Sequence, residues 1–142
     1  MNTHRPHRAL RAALLAAVCT GTATAADLTI TLDPVADNDG MVMLALYSSA
    51  SSFRETVHAA QQAPAVAGTM QFTFSNLAPG DYAVMVMHDR NGNGELDTNL
   101  LGLPREPWGA SLQGKRVFGP PGWEDARFTV PTDGYALSIT MR

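Results

Sequence analysis

An all-β sandwich of about seven strands is the fold this sequence predicts, on three observations. Apolar and polar residues alternate with a period of two through most of the chain from Asp27 onward. The alternating runs are short and are separated by clusters of Gly, Pro, Asn and Asp, the residues that turn a chain. Finally, Leu77-Ala-Pro-Gly-Asp-Tyr82 sets a tyrosine just past a turn, where in Greek-key sandwiches its hydroxyl returns to the backbone. An ordinary inward-facing strand tyrosine is the competing reading. With 142 residues, 45% of them hydrophobic, the chain has room for one core. A TIM barrel, at about 250 residues, is excluded.

Each element follows from local pattern. Leu28, Ile30 and Leu32 alternate with Thr29 and Thr31 until Asp33-Pro34 and Asp37-Asn-Asp-Gly40 stop the run. Met41 to Tyr47 is nearly continuous and short, which predicts a strand buried on both faces. Ser52 with Glu55 three residues on has the form of a capping box, and predicts two helical turns over 53–60. The small, Pro-broken stretch 61–68 predicts a loop. Met70, Phe72 and Phe74 predict a half-buried strand. The next strand sets Tyr82, Val84, Val86 and His88 on one side, with Ala83, Met85 and Met87 on the other. From Asp89 to Gly122 no period holds for about 34 residues, longer than an idle loop in a compact domain. Alternation returns at Ala126, Phe128 and Val130, breaks at Pro131 to Gly134, and ends with Tyr135, Leu137, Ile139 and Met141. That last pair predicts a hairpin.

Residues 1–25 have the parts of a secretory signal: basic Arg5, Arg8 and Arg11, an apolar run from Ala12 to Cys19, and Ala23-Thr-Ala25 as a cleavage site. The expected mature domain is 26–142, periplasmic or secreted, with no transmembrane segment. It has no cysteine, so disulfides and thiolate chemistry are excluded. Seven basic residues remain against thirteen acidic ones, a net charge of −6, and nothing suggests nucleic-acid binding.

Chemistry concentrates in Asp89-Arg-Asn91-Gly-Asn93-Gly-Glu95-Leu-Asp97. Oxygen-bearing side chains at relative positions 1, 3, 5 and 9, with glycine at 6, match the opening of an EF-hand-type calcium loop. Asp89, Asn91, Asn93 and Asp97 would offer side-chain oxygens and Glu95 its carbonyl. Position 12 is Leu100 instead of a bidentate Glu, and Glu106 is the candidate replacement. The same residues also suit a tight structural turn, because Asn and Gly tolerate positive φ.

Around this loop lie Gly80-x-Tyr82-Ala83, His88-Asp89-x-Asn91-x-Asn93-Gly94-x-x-Asp97-Thr98-Asn99 and Gly102-x-Pro104-x-Glu106-x-x-Gly109-x-Ser111. Phe118-Gly-Pro-Pro121, Trp123, Ala126 and Phe128 follow. Together they resemble a bacterial family of exported small proteins, the domain of unknown function numbered 2141, across about Leu28 to Met141. Trp108 departs from its pattern. The resemblance implies export and a single immunoglobulin-like or prealbumin-like sandwich with one long irregular loop; it implies no activity, cofactor or substrate.

Other candidates weigh less. Ser111 lacks the G-x-S-x-G setting of a nucleophile. His88 suits loop capping better than metal ligation. His58 is expected on the short helix, solvated. Trp108 and Trp123 suit either a small core under the loop or a sugar or peptide platform. Met41, Met43, Met85 and Met87 are more in keeping with core filler than with a copper site. The sequence therefore predicts a non-enzymatic binding or envelope-associated module with an envelope or extracellular partner and a weakly bound calcium ion. A hydrolase using Asp89, Asp97 and Glu106, and a purely structural envelope protein, are the alternatives.

Overall fold

The computed structural model describes residues 25–114 and 119–142. Residues 1–24 of the signal segment, Cys19 among them, and Phe118 lie outside the described residues. Eight strands run in the order β1 (Ala26–Val35), β2 (Met41–Tyr47), β3 (Ala59–Pro64), β4 (Gly68–Leu77), β5 (Gly80–Asp89), β6 (Trp108–Ala110), β7 (Phe128–Val130) and β8 (Tyr135–Ile139). One helical turn, α1 (Trp123–Ala126), precedes β7, and a 3-10 turn covers Ser111–Gln113. The first sheet has the order β4-β1-β8; the second has the order β3-β2-β5-β6, with β7 also paired to β5. This is an all-β sandwich. No helix among the described residues is long and apolar enough to cross a membrane.

Period-two patterning explains the packing. Leu28, Ile30 and Leu32 of β1 and Phe72 and Phe74 of β4 meet Val42, Leu44 and Leu46 of β2 and Val84 and Val86 of β5, all buried in one cluster. Each such side chain contributes about 1.5–3 kcal/mol relative to exposure. The turn between β4 and β5 carries the chain from one sheet to the other, and there the Tyr82 hydroxyl donates to the Ala78 carbonyl at 2.8 Å. The tyrosine corner forms.

Four local expectations are corrected. No helix covers 53–60: Glu55 and Thr56 donate to the Ser52 carbonyl in a turn, and 59–64, expected as helix and loop, is strand β3. The Ser52 hydroxyl bonds to Ser49 instead of capping a helix. β7 and β8 are no hairpin, because β7 pairs antiparallel with β5 and β8 pairs parallel with β1. The break at 131–134 is a crossing between sheets, so alternation on both sides of a short turn did not mean pairing. β2 buries only one face fully, since Met43 and Ala45 are half-buried on the other. Finally, the long segment from Asp89 to Gly122 is less irregular than expected, for it contains β6 and the 3-10 turn Ser111–Gln113.

A second, smaller cluster lies outside the five-stranded sheet. Tyr47, Phe53, Ala83, Ala110 and Ala126 are buried there, with Trp108 and Trp123 packed against them. Phe53 meets Tyr47 and Trp123 edge-on, with ring centroids 5.3 and 5.9 Å apart. The tryptophans thus pin the segment after Asp89, as the small-core reading expects.

Candidate binding site

The Asp89 loop begins where β5 leaves the sandwich. Asp89 is almost fully buried, and its carboxylate faces back into the loop. Oδ1 accepts from the backbone N–H groups of Gly92 and Asn93 at 2.8 and 3.2 Å, and Oδ2 from Gly94 at 2.8 Å. Such a turn demands positive φ at Gly92 (74°) and Gly94 (80°), which glycine supplies without a Cβ clash. Asn91 and Asn93 then point their amides at Asp97: Asn91 Nδ2 donates to Oδ2 at 2.7 Å, and Asn93 Nδ2 to Oδ1 at 2.9 Å. Asn91, Asn93 and Asp97 therefore meet, and Asn93 also bonds Asp89. The Glu95 N–H donates to Asn93 Oδ1, while the Glu95 side chain is exposed.

Glu106 returns to the base of this loop. It is buried, and its two oxygens accept from Arg90 N at 2.8 Å and Asp97 N at 3.1 Å. Asp89 and Glu106 thus spend their carboxylates on backbone donors, the environment of a structural acceptor. Among the described residues no three carboxylate, imidazole or thiol groups form a ready metal cluster. The donor set of this loop is instead carboxylate, amide and carbonyl oxygen, the hard type that suits calcium. Leu100 at position 12 is exposed.

His88 faces the opposite way, into the sandwich, fully buried. Its Nε2 lies 2.7 Å from the Asp39 carbonyl, so it carries a proton and ties β5 to the turn before β2. Its Nδ1 has no partner among the described residues. His58 is exposed beside Tyr82, on no helix. Ser111 is buried, with its hydroxyl committed to Val84 and Ala126. It has no access to a substrate.

What the sequence reading missed lies on the outer face of the five-stranded sheet. Register aligns Gln62, Met43, Met87 and Trp108 in one row across β3, β2, β5 and β6, and Ala60, Ala45, Met85 and Ala110 in the next. Met43, Met85 and Met87 therefore lie outside the main core: half-buried, they floor a groove of about 980 Å³, and Met85 also packs against the smaller cluster. Leu96, Thr98, Leu103 and Pro104 form one rim. This rim belongs to the hairpin that Asp97 and Glu106 fasten, closed by Arg105 N to Asp97 O at 2.8 Å and by the Thr98–Pro104 bridge. Alternation in β5 set Met85 and Met87 on the face opposite Val84 and Val86. Only the pairing of β5 with β2 and β6 turns them into a surface.

No curated protein and no solved structure matches the chain. A family model matches residues 30–138, from the middle of β1 through most of β8 and including the Asp89 loop and the groove floor. On that match the chain belongs to the family described as an uncharacterized protein conserved in bacteria, DUF2141.

Proposed function

We propose that this protein is an exported binding module whose outer-sheet groove takes an apolar ligand, with the Asp89 loop bracing one rim around a weakly held calcium ion. The groove is the observation that carries the reading. Its volume falls within the range of small-molecule sites, and an apolar floor with a few polar groups at the edge is their usual composition. The open methionine row adds a polarizable, adaptable lining suited to apolar ligands of varied shape. Hydrolysis by Asp89, Asp97 and Glu106 is less well supported, because two of these three are buried and engaged by backbone amides.

Titration of the mature protein with a neutral environment-sensitive dye such as N-phenyl-1-naphthylamine tests the reading. Saturable binding that Met87→Lys abolishes, without change in the circular dichroism, is expected. A dye that does not bind, or binds the variant equally well, overturns the groove. Export has its own test: expressed with its native N-terminus, the chain should be recovered from the periplasm beginning at Ala26. Retention in the cytoplasm with Met1 in place would overturn it.

A further inference from the structure

Among the described residues, the lining of the groove contains a single charged side chain, Arg54. No Asp or Glu among the described residues lines it, although the chain has thirteen acidic residues. Arg54 sits on the turn between β2 and β3, at the end of the groove where Tyr47 and Val57 also lie. Its φ of 66° is in the left-handed region, seldom taken by a residue with a side chain. Two bonds to the Ser52 carbonyl, from Glu55 N and Thr56 N, hold the turn in that shape. Arg90 pairs with Asp37, Arg127 with Asp81 and Glu124, and Arg142 covers the Trp108 ring. Arg54 pairs with no carboxylate among the described residues. Beside it, burial pushes the Tyr47 phenol up and the Arg54 guanidinium opposes that shift, so the two groups share one electrostatic neighbourhood.

An unpaired guanidinium at one end of a groove otherwise floored by methionine and alanine matches a ligand with one anionic head and an aliphatic tail. We infer that the groove takes a fatty-acid-like carboxylate, its head on Arg54 beside Tyr47 and its chain laid over Met43, Met85 and Met87 toward Leu103. This deepens the groove reading and rests on it. Guanidinium and carboxylate form charge-assisted bonds that a neutral head of the same length does not. The tail contributes by burial alone, and so scales with its length.

The experiment is displacement of bound N-phenyl-1-naphthylamine by octanoate, decanoate and dodecanoate, with decanol as the neutral partner of decanoate. Affinity should rise about fourfold with each methylene added. Decanoate should bind about tenfold or more tighter than decanol, as a bond to a charged group implies. Arg54→Gln should erase the preference for decanoate while keeping the dependence on chain length. Equal affinity for decanoate and decanol, or a preference that survives Arg54→Gln, overturns the anion assignment and leaves an apolar groove standing. If the dye binds and no aliphatic compound displaces it, the assignment also falls. If the dye itself does not bind, the groove reading fails, and this inference fails with it.

Discussion

Ser111 shows how much one buried hydroxyl can hold. On the side of β5 away from β2, residues 80–82 pair with β7 and residues 85–87 with β6, which leaves a gap in the ladder at Val84. The Ser111 Oγ fills it, accepting from Val84 N at 3.0 Å and donating to the Ala126 carbonyl at 2.5 Å. Ser111→Ala would strand a buried donor and a buried acceptor, at a cost of about 2–4 kcal/mol. A urea titration should show the midpoint fall with little change in slope; an unchanged midpoint would mean that water replaces the hydroxyl. Tyr82→Phe removes one bond at a half-exposed corner, and should cost only about 1 kcal/mol in the same titration. The two residues differ in legibility for a physical reason. Tyr82 bonds four residues upstream, so its turn announces it. Ser111 bonds across 27 residues to a gap that exists only once β6 and β7 are placed.

Pairing between elements depends on such distant contacts. Short β7 is held to β5 partly by Asp81, whose carboxylate accepts from the Thr129 hydroxyl at 2.6 Å and pairs with Arg127 at 3.1 Å. The Thr129 bond first, and then the Arg127 charge, hold the Asp81 carboxyl below its usual value of 3.8. A lowered folded-state pKa means stability that is present above 3.8 and is lost as pH falls through the folded value. Asp81→Asn should therefore melt below the native protein at neutral pH, and the gap should close in acid. Melting curves across that range check it, and a gap that persists below both pKa values would assign the effect to shape instead of charge. Strand β6 leans on the chain end: a Cβ on Gly109 would lie 2.6 Å from Ile139 Cγ2 and 3.0 Å from the Thr140 carbonyl. Gly109→Ala should cost about 1–3 kcal/mol by overpacking, again read from the urea midpoint. Alternation revealed β7 and β8 as strands, but the short turn between them suggested the wrong partner for each, since period two fixes faces and leaves pairing to the sheet. The 53–60 stretch misled for another reason. Ser52 and Glu55 have capping-box spacing, yet of Phe53, Val57 and Ala60 only Phe53 is buried, too little packing to offset the nucleation of a two-turn helix.

At the scale of the whole molecule, the Asp89 loop joins the sandwich to the rim of the groove. Asp89 anchors the end of β5, Glu106 clamps Arg90 to Asp97, and the hairpin beyond carries Leu96, Leu103 and Pro104. The loop's oxygen spacing was visible in sequence because its residues are contiguous. The groove was not, because its floor is assembled from four strands. If calcium binds where Asn91 and Asn93 now face Asp97, those amides must turn their oxygens inward, and the ion takes over what their N–H groups now do. An ion that binds only the folded chain stabilises it by about 0.4 kcal/mol at a concentration equal to Kd and about 1.4 kcal/mol at ten times Kd. For an extracellular-type site near 10⁻⁴–10⁻³ M, roughly the weakest class, millimolar calcium should then raise the melting temperature by a few degrees. Magnesium should do less, since it gives up its water reluctantly and demands a tighter shell. Asp97→Asn is the informative variant: it keeps the shape of the residue that Asn91 and Asn93 hold, spares the buried anchor Asp89, and removes the charge a cation needs. Thermal melts in chelator and in calcium, at fixed ionic strength, should show a shift for the native chain and none for Asp97→Asn. Equal midpoints for the native chain would make this loop a hydrogen-bonded brace that needs no ion. The rim of the groove would then be held by Glu106 and the Asn91–Asn93–Asp97 contacts alone.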